Sequence, residues 1–228
     1  MRSSLLIILL LLLKSGYSQN LTFTNQNLKS HLINENCVDL NGDEFGDTTI
    51  DLNNDGEIQS SEADLVLNLV IGGPDSTISS VLDLHQFTNL KRLTIWGGIG
   101  LTGISNLNLD SLQHIRISDH NSITDIDLSD LPNLNSIFIE GLNGLINLNL
   151  QNGSHADAAF SLFYTYFNIG CVDSIMEEYT LVAPHILGGG IPSINCATSI
   201  KEHPEENTII YPNPSTGEIT IETNLIIS

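Results

Sequence analysis

Three segments near the middle of the chain place their apolar residues alike: Leu90-Lys91-Arg92-Leu93-Thr94-Ile95, Leu112-Gln113-His114-Ile115-Arg116-Ile117 and Leu134-Asn135-Ser136-Ile137-Phe138-Ile139, each starting 22 residues after the one before. Each closes on an apolar, polar, apolar alternation, the mark of a strand with one face buried. A second, offset set alternates in the same way: Leu82-Asp83-Leu84, Leu107-Asn108-Leu109, Ile126-Asp127-Leu128 and Leu148-Asn149-Leu150. Each repeat is therefore expected to contribute two short strands. One such coil has nothing to bury its leucines against, whereas stacked coils build a continuous apolar column. The pattern predicts a repeat solenoid of about three 22-residue coils over residues 78–155. So short an array needs both ends covered, by the segment before Leu82 and by the aromatic-rich stretch Phe160, Phe163, Tyr164, Tyr166, Phe167 within residues 156–198. Gly188-Gly189-Gly190 lacks the strand-to-helix setting of a phosphate-binding loop and reads as a turn.

The repeats resemble the leucine-rich-repeat surface proteins of Bacteroidota. They depart from that pattern in lacking the asparagine after several strands, and Leu84 to Leu90 differs in length from Leu109 to Leu112, which leaves the coil boundaries open. Solenoids bind through residues that project between the buried positions. In the first strand column these are Arg92, Thr94 and Trp96, then His114, Arg116 and Ser118, then Ser136, Phe138 and Glu140. In the second column they are Asn106, Asn108, Asp125, Asp127, Asn147 and Asn149. Aromatic residues and arginine are the usual anchors of interfaces, so the first column is the expected recognition face. The alternative is that a cap or a neighbouring loop covers Trp96 and Phe138.

Ahead of the repeats, residues 19–77 read as a small helical cap carrying a cation loop. Asn25 to Leu32 has apolar residues at helical spacing, and Ser60 or Ser61 is placed to cap a helix through Glu62-Ala63-Asp64-Leu65-Val66-Leu67. Between them, Asp51, Asn53, Asp55, Gly56, Glu57 and Glu62 fill positions 1, 3, 5, 6, 7 and 12 of an EF-hand loop. That spacing supplies oxygens from alternate side chains around a tight glycine turn, with a carbonyl at position 7 and a bidentate carboxylate at 12. Ile58 is expected to pack inward. Asp39, Asn41, Asp43 and Asp47 begin a second loop, which fails where Glu44 replaces the glycine and Ile50 the last glutamate, and makes a degenerate site. The first loop resembles the calcium-loop cap that precedes repeats of this kind, which carries Asp51, Asn53, Asp55, Glu57 and Glu62 over as ligands of a structural calcium ion.

The chain's ends change the setting. Met1-Arg2-Ser3-Ser4 leads into an unbroken apolar run, Leu5 to Leu13, and a small-residue exit at Gly16-Tyr17-Ser18: a secretory signal peptide over residues 1–18. A spanning helix needs roughly 20 apolar residues, and Lys14 stops the run well short. No cysteine lies near the exit, which argues against a lipoprotein. Without that segment, five of the seven basic residues remain against 27 acidic ones, a formal charge of −22. Such a polyanion repels phosphate backbones and anionic lipid, and favours divalent cations. Three cysteines in an exported chain leave one over. A Cys171 to Cys196 bridge would close a loop of about 26 residues, an entropic stabilisation of about 3.5 kcal/mol, leaving Cys37 single; three free thiols is the alternative. Residues 199–208 read as a linker. Beyond it, Ile209 to Ile221 forms two strand-like runs around Tyr211-Pro212-Asn213-Pro214-Ser215-Thr216-Gly217 and resembles the opening of the C-terminal sorting domain of type IX secretion, cut short at Ser228.

No zinc spacing, nucleophile elbow or Walker loop occurs among these residues. The expectation is a non-enzymatic binding module, secreted or on the outer-membrane surface, exported by the type IX machinery, with a protein or glycan ligand and no nucleic-acid partner or transmembrane segment. A structural spacer, or an enzyme's accessory region, is the alternative.

Overall fold

A computed structural model describes residues 19–73, 77–97, 100–120, 122–153, 159–173, 180–194, 209–212 and 219–222. The chain divides into two compact units, Met1–Cys196 and Ala197–Ser228. The signal segment, Cys196, the linker and residues 213–218 lie outside the described residues. No helix among the described residues is long and apolar enough to cross a membrane.

The first unit is a parallel-strand solenoid. One sheet runs β1 (Asn68–Gly72), β2 (Arg92–Trp96), β4 (His114–Ser118), β6 (Ser136–Glu140) and β8 (Ala159–Phe163). The opposite sheet runs β3 (Gly103–Ile104), β5 (Asp125–Asp127), β7 (Asn147–Asn149) and β9 (Ile169–Cys171). All pairings within both sheets are parallel, which requires a crossover between neighbours; each sheet serves as the other's crossover. Register partners Arg92, His114 and Ser136 repeat every 22 residues. The apolar columns follow from this register: Leu69, Leu93, Ile115 and Ile137 stack in one, Ile71, Ile95, Ile117, Ile139 and Leu162 in the next, all buried. The corners repeat too. The carbonyls of Leu67, Lys91 and Gln113 each accept two N–H groups from the following coil.

The array is longer than the leucine spacing predicts, about four turns instead of three. Asn68–Gly72, expected in a cap, is the sheet's first strand, and Ala159–Phe163, expected in the other cap, is its fifth. The helix expected to run through Leu67 stops at Ala63: α2 spans Ser60–Ala63, and its N-cap is Gln59, whose N–H donates to the Glu62 carboxylate (2.9 Å). Beyond it, Leu69 and Ile71 alternate into the first sheet. α1 (Gln26–Asn34) forms where expected, with Asn25 accepting the Leu28 N–H at 2.9 Å.

Two of the four expected second-column strands are absent. Leu82–Gln86 is a 3-10 helix. Its apolar residues follow a period of three, not two: Val81, Leu84, Phe87 and Leu90 are buried and joined by successive i to i−3 bonds (2.9–3.1 Å), while Leu82 is exposed. Leu107 and Leu109 are buried, but Asn106 and Asn108 between and beside them have φ of 53° and 48°, left-handed backbone that asparagine tolerates and a strand excludes. The second sheet starts at Gly103–Ile104 instead.

The segment before the coils is fastened to them. The Asp83 carboxylate accepts the backbone N–H groups of Thr24 and Asn25, both at 2.9 Å, and the Thr24 hydroxyl. Ile50 and Ile58 join the same core as the leucines, and Ile58 packs inward as the loop pattern requires. In the second unit, β10 (Ile209–Pro212) and β11 (Ile219–Glu222) pair antiparallel.

One coil position is chemically odd. His120 stands where the next coil has Leu142, 22 residues on, and it is 1% exposed with neither ring nitrogen hydrogen-bonded. Burial holds its pKa below the ordinary value, opposed by the nearby Ile95 backbone and the Asp119 charge, and burial also lowers His31 and His114. The unfolded chain takes up protons below about pH 6.5 that the folded chain refuses, so stability is full above that pH and declines beneath it. His120→Leu should raise stability at pH 7 by roughly 1–3 kcal/mol, the cost of a buried unsatisfied group, and flatten the decline between pH 7 and 5.5. Thermal melts across that range check both; a wild-type melting temperature that does not fall contradicts the assignment.

Candidate recognition face

The register sets the outward residues of the first sheet in three rows. Along β1, β2, β4, β6 and β8 they are Asn68, Arg92, His114, Ser136 and Ala159; then Val70, Thr94, Arg116, Phe138 and Ser161; then Gly72, Trp96, Ser118, Glu140 and Phe163. All eight residues expected to bind ligand therefore share one face. They are not equally accessible. Thr94 is 6% exposed and Ser118 5%, whereas Trp96 is 38% exposed. Gly72 makes room for the indole: a Cβ there would lie 2.7 Å from Trp96 Cδ1 and Nε1.

A loop from the other end of the unit crosses this face. Residues 37–39 first pair antiparallel with β1: the Val70 N–H donates to Cys37 O at 2.7 Å and the Asp39 N–H to Asn68 O at 3.2 Å. That pairing covers the edge strand, which would otherwise offer unpaired backbone groups. The chain then turns through residues 39–47 and lays Glu44 against the middle row. Glu44 Oε2 is 3.0 Å from Arg116 Nη1, Glu140 Oε2 is 3.3 Å from Arg116 Nη2, and Glu44 Oε1 is 3.5 Å from His114 Nε2. His114 Nδ1 lies 2.8 Å from Ser136 Oγ, and the ring sits 5.4 Å from that of Phe138. Burial and then Arg92 lower the His114 pKa, with Glu44 opposing them.

The crossing loop is wired like the loop after it. In residues 39–47 the Asp39 carboxylate accepts the N–H groups of Gly42 (2.6 Å) and Glu44 (3.0 Å), Asn41 that of Asp43, Asp43 that of Phe45, and Asp47 that of Leu40. In the following loop Asp51 accepts those of Asp55 (3.1 Å) and Gly56 (2.8 Å), Asn53 that of Asp55, Asp55 that of Glu57, and Glu62 that of Leu52. The left-handed positions coincide as well, φ 84° at Gly42 and 69° at Glu44 against 58° at Asn54 and 79° at Gly56. Glu44 thus takes the backbone that a glycine holds in the other loop. A non-glycine residue there costs about 1–3 kcal/mol, and the side chain so placed is the one that reaches Arg116.

The donor set of Asp51, Asn53, Asp55, the Glu57 carbonyl and Glu62 fits a hard cation. Asp51 and Glu62 are buried at the loop's root. The Asp55 carboxyl is held below its usual pKa, first by the Glu57 N–H and then by Gln59 and Asn53, and so stays ionised. Among the described residues, no three His, Cys, Asp or Glu side chains are gathered around one point; the loop carboxylates bind the loop's own N–H groups.

Two cavities open on the face and share Arg116. The larger, about 350 Å³, is lined by Asp43, Glu44, Phe45, Thr94, Trp96, Arg116, Ser118 and Asp119. The smaller, about 230 Å³, is lined by Arg116, Phe138, Ile139, Glu140, Ser161 and Phe163. Comparison of the chain with known protein families, curated proteins and solved structures finds no match. The geometry stands alone.

Glu44, Phe45 and Asp119 were not among the residues expected on this face. One signal in the sequence pointed to the first: a glutamate where the loop pattern wants glycine has a reason to be there. The outward Asn and Asp of the second sheet tie coils together instead. Asp125 accepts from Asn147 of the next coil, and Asp130 accepts the Asn108 N–H at 2.7 Å. Glu44→Gln should release the crossing loop. Backbone amide exchange in residues 39–47 should speed up while residues 49–62 hold their rate, with global stability down by about 1 kcal/mol or less for this part-exposed pair. Unchanged exchange in residues 39–47 would show that the contact does not hold the loop.

Proposed function

We propose that the chain is an exported leucine-rich-repeat binding module, secreted or held at the outer-membrane surface, which recognises a protein or glycan ligand without chemistry of its own. One observation carries the reading: a single strand face combines part-exposed Trp96, Arg116, Phe138 and Phe163 with two adjoining cavities. The opposite face spends its polar groups on coil-to-coil hydrogen bonds. Immobilised wild-type chain, screened against a glycan array and a displayed peptide library, should yield a saturable binder. Trp96→Ala combined with Phe138→Ala should abolish that binding while circular dichroism and melting temperature stay near wild type. A surface spacer would give no saturable binder, and a binder indifferent to the double variant would sink the strand face as the site.

The reading includes a structural calcium ion in the loop from Asp51 to Glu62, and a degenerate second site at Asp39, Asn41, Asp43 and Asp47. The shared wiring of the two loops supports it. So does the Lys29 to Glu57 ion pair (2.8 Å), which turns that carboxylate aside and leaves position 7 to its carbonyl. Extracellular sites of this kind bind at about 10⁻⁴ to 10⁻³ M. The loop's Ile50 and Ile58 belong to the solenoid core, so a bound ion should stabilise the whole first unit. Melting temperature should fall on adding chelator, and Asp51→Ala with Glu62→Ala should erase the difference; a wild type indifferent to chelator removes calcium from the account.

The Cys171 to Cys196 bridge belongs to the same reading. The Val172 N–H donates to Ser193 O (3.1 Å) and the Ser193 N–H to Gly170 O (2.8 Å), which brings the chain alongside Cys171 three residues before Cys196. Cys37 is a buried free thiol whose pKa burial pushes up to about 12, an unreactive leftover. Export by the type IX route is supported by the apolar leader and by the β10–β11 pairing around the Tyr211 to Gly217 string.

A further inference from the structure

We propose that the larger cavity is a receptor for a basic side chain, arginine or lysine, presented by a protein partner. This rests on the strand face being the recognition surface and names its ligand chemistry.

The cavity has an aromatic residue on each of two elements: Trp96 on β2 and Phe45 on the crossing loop, the latter 70% exposed. A cation over an aromatic face is attracted by the ring quadrupole, and tryptophan is the strongest partner. Three carboxylates, Asp43, Glu44 and Asp119, line the same space. Its one basic residue, Arg116, already has Glu44 at 3.0 Å and Glu140 at 3.3 Å, so its charge is balanced. Asp43 and Asp119 form no ion pair with a described residue. What remains is net negative and lacks a cation. Thr94 and Ser118, both buried, add hydroxyl acceptors between the carboxylates. The chain's formal charge of −20 extends this attraction beyond the cavity and favours a basic partner at long range.

A neutral sugar would stack on Trp96 but gain little from three carboxylates, and an acidic glycan would be repelled. Asp43 is also a ligand position of the 39–47 loop. A metal ion there would occupy that carboxylate and leave Glu44 and Asp119 to the side chain.

The chain has a single tryptophan, so its intrinsic fluorescence reports on this cavity. The full chain is titrated with N-acetyl-arginine amide, N-acetyl-lysine amide, the neutral isostere N-acetyl-citrulline amide, and two neutral oligosaccharides, maltohexaose and chitohexaose. A saturable change is expected with arginine or lysine, at least tenfold weaker with citrulline, and weakened by added salt. Asp119→Asn and Phe45→Ala, both at exposed side chains that leave the core intact, should each weaken it several-fold. Equal response to citrulline, saturation by oligosaccharide alone, or no saturation by either cation overturns the proposal. If the cations fail while a library binder still depends on Trp96 and Phe138, the recognition face stands and its cationic ligand falls.

Discussion

A coil of about 22 residues encloses too little space to bury its own leucines and isoleucines, and every other feature of the first unit follows from that shortage. Each fully buried Leu or Ile contributes about 1.5–3 kcal/mol, but only once coils above and below close over it. The parallel ladder enforces the closure. Because the corner carbonyls of Leu67, Lys91 and Gln113 each take two N–H groups from the next coil, the coils stay in register and the columns stay continuous. A slip by one residue would turn every buried position outward.

Stacking leaves two ends, and their treatment creates the surface. At the start, residues 37–39 close the edge of β1 as an antiparallel partner, so the chain that follows must leave over the outward face of the sheet. The loop it forms stands on Asp39, which gathers the loop's N–H groups, and it ends on Arg116 through Glu44. Edge protection and cavity wall are thus one segment. At the far end, Phe167, Val182 and Ile186 pack into the core, and Phe167 bridges Ile186.

The two faces of the solenoid then diverge. On the second sheet the strands are two or three residues long, and the outward Asn and Asp are close enough to hydrogen-bond from coil to coil. On the first sheet five-residue strands carry three rows of larger side chains. There the aromatic and arginine residues cannot all satisfy one another, and space remains between them. His120 shows the opposite compromise, a polar ring in a column position with no partner, tolerated because its neighbours supply enough apolar burial.

Much of this was legible in the chain alone. The leucine spacing at 90, 112 and 134 determined the repeat length, the first-sheet register and the shared face of Arg92, Trp96, Arg116 and Phe138, because a strand's two-residue period leaves no other side for them. Asp51 to Glu62 announced its turn through the positions that need left-handed backbone. Periodicity misled where the sample was short: Leu82-Asp83-Leu84 alternates, yet it belongs to a three-residue period visible only with Val81 and Phe87. It also missed the strands at Asn68 and Ala159, whose neighbours do not repeat the leucine spacing. What only the tertiary structure decided was the meeting of Glu44 with Arg116, 72 residues apart. No local pattern encodes a contact between a loop and a strand that approach each other because the intervening chain has folded into a coil.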